Sequence, residues 1–126
     1  MSEIRVTTIS DAAGTGPVTL TKQSAAKFFI SLNGSGTPAA RDSLNFSSVT
    51  DNSTGDYTLR FTNNMANTDY AATSAGGQHT GASNNNICVF YKNVVADSIM
   101  IQSISTSTDS LIDQTFICSS IQGDLA

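Results

Sequence analysis

Reactive and charged side chains are scarce in this sequence. Its 126 residues include no Trp, one His and two Cys, and charged residues make up only 13% of the chain. No nucleophile-elbow, Walker or zinc-protease motif occurs, and the acidic residues are spread through predicted turns rather than paired. Catalysis needs a positioned nucleophile, base or metal. The sequence therefore predicts a protein that is not an enzyme and that carries no cofactor and no metal.

The chain also lacks any run of basic residues. Six Lys and Arg stand against ten Asp and Glu, which gives a formal net charge of -4, and this disfavours a nucleic-acid backbone as a partner. No apolar run approaches the length of a membrane span, and the first residues lack the apolar core of a signal peptide. We therefore expect no membrane partner, and a protein that stays in the cytosol until it joins something larger.

The two cysteines, Cys88 and Cys118, each sit inside an apolar run. Free Cys packs as a small hydrophobic residue, so both are expected to be buried free thiols. A disulfide would need an oxidising compartment, and two Cys without a nearby His cannot hold zinc.

Small polar residues are what the sequence has in excess. Ser, Thr, Asn and Gly together make up about two-fifths of the chain, which is above ordinary usage. The side chains of Ser, Thr and Asn compete with the backbone for hydrogen bonds and so suit helices poorly. This composition favours many short strands joined by polar turns.

The strongest local pattern lies in residues 44–70. Tyr57, Leu59 and Phe61 alternate with polar residues, which places one face of a strand in a core. The preceding residues 51–56 are rich in Asp and Asn and contain Gly55, which is typical of a tight turn. A β-hairpin is the prediction for this stretch, with Leu44 and Phe46 placed in its first strand.

Similar alternation recurs along the rest of the chain, and all of it belongs to one predicted domain. Further strands are predicted at residues 25–32, 70–73, 87–91, 99–104 and 115–122. With the hairpin this gives about seven or eight short strands, which is the signature of an antiparallel β-sandwich rather than a fold with helical crossovers. We expect a sandwich body over residues 24–126 and an extended N-terminal arm over residues 1–23.

The hairpin also carries a resemblance. The run SLNFSSVTDNSTGDYTLRFTNNMANTDY, together with KFFISLNGSGT and RDS before it and IQGD near the end, is similar to a module of tail-fibre and related virion-surface proteins of tailed bacteriophages. The resemblance spans about residues 25–124 and is specific in the hairpin. It implies a non-enzymatic sandwich that forms a homotrimer and attaches to other phage structural proteins, as a short tail-fibre-like or head-decoration protein of the virion.

The arm supplies the predicted particle contacts. The five Ile, Val and Leu side chains in residues 1–23 are too few to fold this segment alone, so it must lie on the body or on a neighbour. A docking arm and an ordinary N-terminal edge strand both fit. The predicted docking residues are Ile4, Val6, Ile9, Val18 and Leu20.

Phe29 is the predicted subunit-interface residue. It points away from the face that Phe28, Ile30 and Leu32 share. An outward Phe either lies under a loop or meets a second subunit, and the alternation alone leaves both interpretations open.

The alternative function is recognition of glycans on a host surface. Residues 74–86 form the longest stretch predicted to be irregular, and loops of that length are often functional. Its candidate ligand residues are Gln78, His79, Asn84 and Asn85, with the hairpin tip at residues 51–56 as a second candidate. Neither loop contains an aromatic platform for a sugar. His79 could also meet its copies on a three-fold axis and bind an ion, although a solvated loop tip is the simpler interpretation.

Overall fold

The computed structural model describes residues 25–77 and 87–126, which form two β-sheets and no helix. Nine strands occur in this described part of the chain. In chain order they are β1 Phe28–Asn33, β2 Ala39–Leu44, β3 Phe46–Ser53, β4 Asp56–Phe61, β5 Ala71–Gly77, β6 Ile87–Val95, β7 Ser98–Ser105, β8 Ser110–Leu111 and β9 Phe116–Gln122.

The strands divide into a four-stranded and a five-stranded antiparallel sheet. The four-stranded sheet has the order β2-β1-β9-β5, and the other has the order β3-β4-β7-β6. The short β8 pairs with the end of β7, on the edge opposite β6. The two sheets stack and enclose one core, which confirms the predicted antiparallel sandwich.

Alternate side chains of the four central strands make that core. Phe28 of one sheet meets Phe61 of the other edge to face, with ring centroids 5.1 Å apart, so the aromatic contact joins the two layers. Full burial of a side chain of this size contributes about 1.5–3 kcal/mol. The buried set is Phe28, Ile30 and Leu32 from β1, Tyr57, Leu59 and Phe61 from β4, Ile99 and Ile101 from β7, and Ile117 and Ile121 from β9.

The chain changes sheets inside the predicted hairpin strand. Leu44 ends β2 in the four-stranded sheet and Phe46 begins β3 in the other, so the placement of Leu44 in the hairpin was wrong. Between them Asn45 adopts a φ of 59°, a conformation that Asn tolerates better than most residues. Its side chain also accepts from Asn63 N over 2.7 Å and donates to Asn63 O over 3.0 Å. The point at which the chain passes from one sheet to the other is therefore fixed by Asn45.

Several predicted boundaries were too short. β5 continues to Gly77, into the stretch predicted to be irregular, and β6 continues to Val95. Residues 39–43, which no predicted strand covers, belong to β2, and the two-residue β8 was missed. Small and polar residues carry little periodic signal, which explains why these ends were missed.

The two cysteines are free, but they are not buried as predicted. Cys88 is exposed and Cys118 is half-buried. Each alternates with an inward side chain, Val89 on β6 and Ile117 on β9. An apolar run in the sequence therefore does not by itself bury the Cys within it.

Buried polar contacts hold the hairpin tip at one end of the sandwich. Gly55 N donates to Asp113 Oδ1 over 2.7 Å, and Ser103 N donates to Gly55 O over 2.8 Å. The Tyr57 hydroxyl lies 2.7 Å from Gly34 O and 2.8 Å from Asp113 Oδ1. Burial and the adjacent Asp113 raise the pKa of Tyr57, so the phenol stays protonated as a donor. The tip is part of the fold rather than a free loop.

Gly55 should therefore be the less replaceable of two turn glycines. Both Gly55 and Gly36 have positive φ, but a Cβ on Gly55 would lie 2.7 Å from Ile112 N and from Ser103 O, whereas none of the described atoms lies within 4 Å of a Cβ on Gly36. We expect Gly36→Ala to cost about 1 kcal/mol. Gly55→Ala should cost about 3 kcal/mol or more, because backbone must also move.

Urea unfolding followed by far-UV circular dichroism measures both losses. Equal destabilisation by the two substitutions would contradict the tight packing assigned to the hairpin tip.

Candidate functional site

The outer face of the four-stranded sheet forms an open groove with a volume of about 360 Å³. Its lining is built almost entirely from small or apolar side chains, and Asp42 is its one charged residue among those described. Phe29 lies in this lining and is 36% exposed. The groove is therefore a weakly charged surface with an aromatic side chain in it.

Strand register explains how the groove forms. Phe29 pairs with Leu44 on one side and with Ser120 on the other, and Ser120 pairs with Thr73. Residues directly opposite on antiparallel strands project to the same face. The small side chains of Ser120 and Thr73 therefore form the floor of the groove, beside the large side chains of Phe29 and Leu44. Leu44 is 47% exposed. Phe29 faces outward as the alternation predicts, and its contact with a second subunit stays a prediction.

The outer face of the five-stranded sheet has a different chemistry, centred on Asp56. This residue is only 3% exposed although it lies on an outward position. Lys92 Nζ donates to Asp56 Oδ2 over 2.8 Å, and Gln102 Nε2 donates to the same oxygen over 2.7 Å. Asn52 Nδ2 donates to Asp56 Oδ1 over 3.0 Å and lies 3.0 Å from Thr58 Oγ1. These side chains form the Asp56 network.

Two β-bulges deliver donors to this network. The β3–β4 register shifts between Asp51 and Ser53, which makes Asn52 the extra residue. The β6–β7 register shifts between Tyr91 and Asn93, which makes Lys92 the extra residue. Bulges re-aim side chains and are enriched beside functional sites. Both inserted side chains bind the same carboxylate.

The hydrogen bonds of the network determine the protonation state of Asp56. Burial of Asp56 raises the pKa of its carboxyl, but hydrogen bonds from Lys92, Asn52 and Gln102 outweigh burial, and the pKa lies below the usual 3.8. Asp56 is therefore ionised near neutral pH, and the paired Lys92 balances its charge.

An exposed aromatic ring completes this face. Phe90 is 49% exposed and pairs in register with Gln102, which in turn pairs with Asp56. The three side chains thus form one row across β6, β7 and β4. The exposure of Phe90 was not predicted from the sequence, although its alternation with Val89 and Tyr91 was the available signal.

Only part of the predicted ligand set can be located among the described residues. From the hairpin tip, Asn52 and Asp56 are brought into the Asp56 network. The candidates Gln78, His79, Asn84 and Asn85 lie outside the described residues, as do the five docking residues of the arm. Within residues 25–77 and 87–126, no group of three His, Cys, Asp or Glu could hold a metal ion. No helix of this part is long and apolar enough to cross a membrane.

Comparisons with known proteins add no relative. No family model matches the chain, and neither the curated proteins nor the solved structures include a match.

Asp56 should stabilise the fold in a pH-dependent way. We expect Asp56→Asn to lower the free energy of unfolding by about 2 kcal/mol near neutral pH, because hydrogen bonds to a charged group are lost. The folded pKa is lowered, so this contribution is complete above the unfolded value of 3.8 and is lost as the pH falls through the folded pKa. The difference in stability between the wild type and the variant should therefore shrink in acid.

Asp97→Asn is the matched control, measured by urea unfolding over the same pH range. Asp97 pairs with Arg60 over 3.0 Å, but both side chains are about half exposed, so its loss should stay below about 1 kcal/mol. A loss at Asp56 that does not change with pH would contradict the assignment.

Proposed function

We propose that the protein is a non-enzymatic structural subunit of a bacteriophage particle, which associates with copies of itself through the groove face and with the particle through its N-terminal arm. The observation that carries the proposal is the weakly charged groove around Phe29. The resemblance of residues 25–124 to virion-surface modules supplies the kind of assembly, a homotrimer on a virion.

Charge supports a copy of this chain as the occupant of the groove. Each chain has a net charge of -4, so copies repel unless their contact faces carry little charge. Of the described groove lining, only Asp42 is charged. The exposed Phe29 and Leu44 provide the large apolar side chains that an interface buries.

The opposite face of the sandwich is less suited to self-association. There the half-exposed Lys92 pairs with the buried, ionised Asp56, and an interface over this face would also remove the Lys92 ammonium from water, at a cost in desolvation energy. The groove face has no comparable penalty. This difference between the faces favours one defined mode of assembly.

We propose that the N-terminal arm extends the same assembly. Residues 1–23 join the body shortly before β1, the strand that carries Phe29, and Lys27 N already donates to Ile121 O of β9 over 2.8 Å. An arm that starts from this sheet would begin beside the groove. Its five predicted docking side chains would then bind the particle, which stabilises the attached state by mass action.

Phe29→Glu should disrupt the trimer. A carboxylate at this position would bury an unpaired charge in the interface, so we expect the association to weaken by at least about 100-fold. Sedimentation velocity over a range of concentrations measures the change, and circular dichroism checks the fold. Phe90→Glu, on the other face, is the matched control and should leave assembly unchanged. A wild type that is monomeric throughout, or equal effects of both variants, would contradict the proposed interface.

Removal of residues 1–20 should separate folding from attachment. We expect the truncated chain to keep its far-UV spectrum and its trimer, and to be missing from purified particles. Particles assembled in the presence of the wild-type or the truncated chain can be analysed for bound protein by gel and mass spectrometry.

A full-length chain with Ser at Ile4, Val6, Ile9, Val18 and Leu20 is the second variant for this test. It should be excluded from particles in the same way, because the apolar contacts are lost while the length is kept. Normal incorporation of either form would refute the docking arm.

A further inference from the structure

The outer face of the five-stranded sheet combines an aromatic surface with ordered polar groups. Phe90 is 49% exposed, Gln102 is directly opposite it, and Lys92 stands on the bulge that follows Phe90 in β6. Such a combination differs from a plain apolar patch, because fixed donors and acceptors border the ring. Ligand sites characteristically pair an apolar surface with a few placed polar groups.

We propose that Phe90, Gln102 and Lys92 form a binding site for a neutral saccharide. The apolar C–H face of a pyranose ring would lie on the phenyl ring of Phe90. The sugar hydroxyls would donate to Gln102 Oε1 and accept from Lys92 Nζ. The site differs from the loops that the sequence indicated, and it goes beyond the proposed structural role.

The free hydrogen-bonding capacity fits a polyhydroxy ligand. Within the described residues, the one partner of the Gln102 side chain is Asp56, bound through Nε2, so Oε1 remains an acceptor. Lys92 Nζ has three protons and uses one on Asp56 in this part of the chain. Its side chain is 49% exposed. The site thus offers both a donor and an acceptor to hydroxyl groups.

Charge at the site favours a neutral sugar over an acidic one. The Lys92 ammonium lies 2.8 Å from Asp56 Oδ2, so the pair is internally compensated. The chain as a whole carries a charge of -4, which opposes the approach of an anion. A neutral saccharide has no such barrier.

The Asp56 network also prepares the site before any ligand arrives. Asp56 is held by donors from three other strands, β3, β6 and β7, and in turn fixes the positions of Lys92 and Gln102. Side chains that are already ordered lose less entropy on binding. Phe90 has only two side-chain torsions, which keeps its ordering cost low.

Saturation-transfer difference NMR on the full chain tests the proposal. The probes are glucose, galactose, mannose, N-acetylglucosamine and, as an anionic comparison, N-acetylneuraminic acid. We expect at least one neutral sugar to show saturation concentrated on the C–H protons of one ring face, and a weaker signal from the acid. No signal from any neutral sugar, or a preference for the acid, would overturn the proposal.

Substitutions at Phe90 separate stacking from general apolar contact. Phe90→Tyr should retain the signal, whereas Phe90→Leu should weaken binding about tenfold, because the aromatic face is lost while much of the apolar area is kept. Leu125→Ala removes another exposed apolar side chain that belongs to neither proposed surface, so it is the control and should bind as the wild type does. Binding that survives Phe90→Leu, or that is lost equally in Leu125→Ala, would show that the sugar contacts some other surface.

Discussion

Burial of alternate side chains from β1, β9, β4 and β7 is the constraint on which the rest of the structure depends. A strand has a side-chain period of two, so fixing the inward set also fixes the outward set, and a slip of one residue would exchange them. The inward set includes Phe28, Leu59 and Ile101, all fully buried. The outward positions are then free to carry function, and both candidate surfaces lie there.

Bulges allow the sheets to keep this register and still place extra side chains. An inserted residue would otherwise turn every later side chain to the wrong face, whereas a bulge absorbs the insertion locally. Arg41, Asn52 and Lys92 are such extra residues. Arg41 donates to Thr115 O in the β8–β9 connection, and the other two bind Asp56. The irregularities in the sheets thus supply polar contacts to neighbouring strands and to the β8–β9 connection.

The core and the hairpin could be predicted from the sequence, but the polar network could not. Alternation at residues 57–61 predicts the buried face of β4 correctly, and Gly55 marks the turn. Asp56 was predicted as part of the hairpin tip, but its contacts with Lys92 and Gln102 were not, because these partners are 36 and 46 positions away. Isolated polar residues on outward positions have no periodic signal. The sheet change at Asn45 was missed because it depends on a single residue with positive φ. Trimer, particle and arm remain predictions.

The two outer faces of the sandwich suit two different roles, self-association for the groove face and ligand binding for the face with Phe90. In the proposed trimer the groove face is buried between subunits, and the sheet with Phe90 stays on the outside, where a ligand can reach it. A single sugar contact of this kind is small and should be weak, because association costs several kcal/mol before any surplus appears. Three copies on one rigid assembly can raise the overall affinity by about 10² to 10⁴-fold without a new contact. Self-association through Phe29 would therefore be the physical condition under which a shallow site around Phe90 becomes effective.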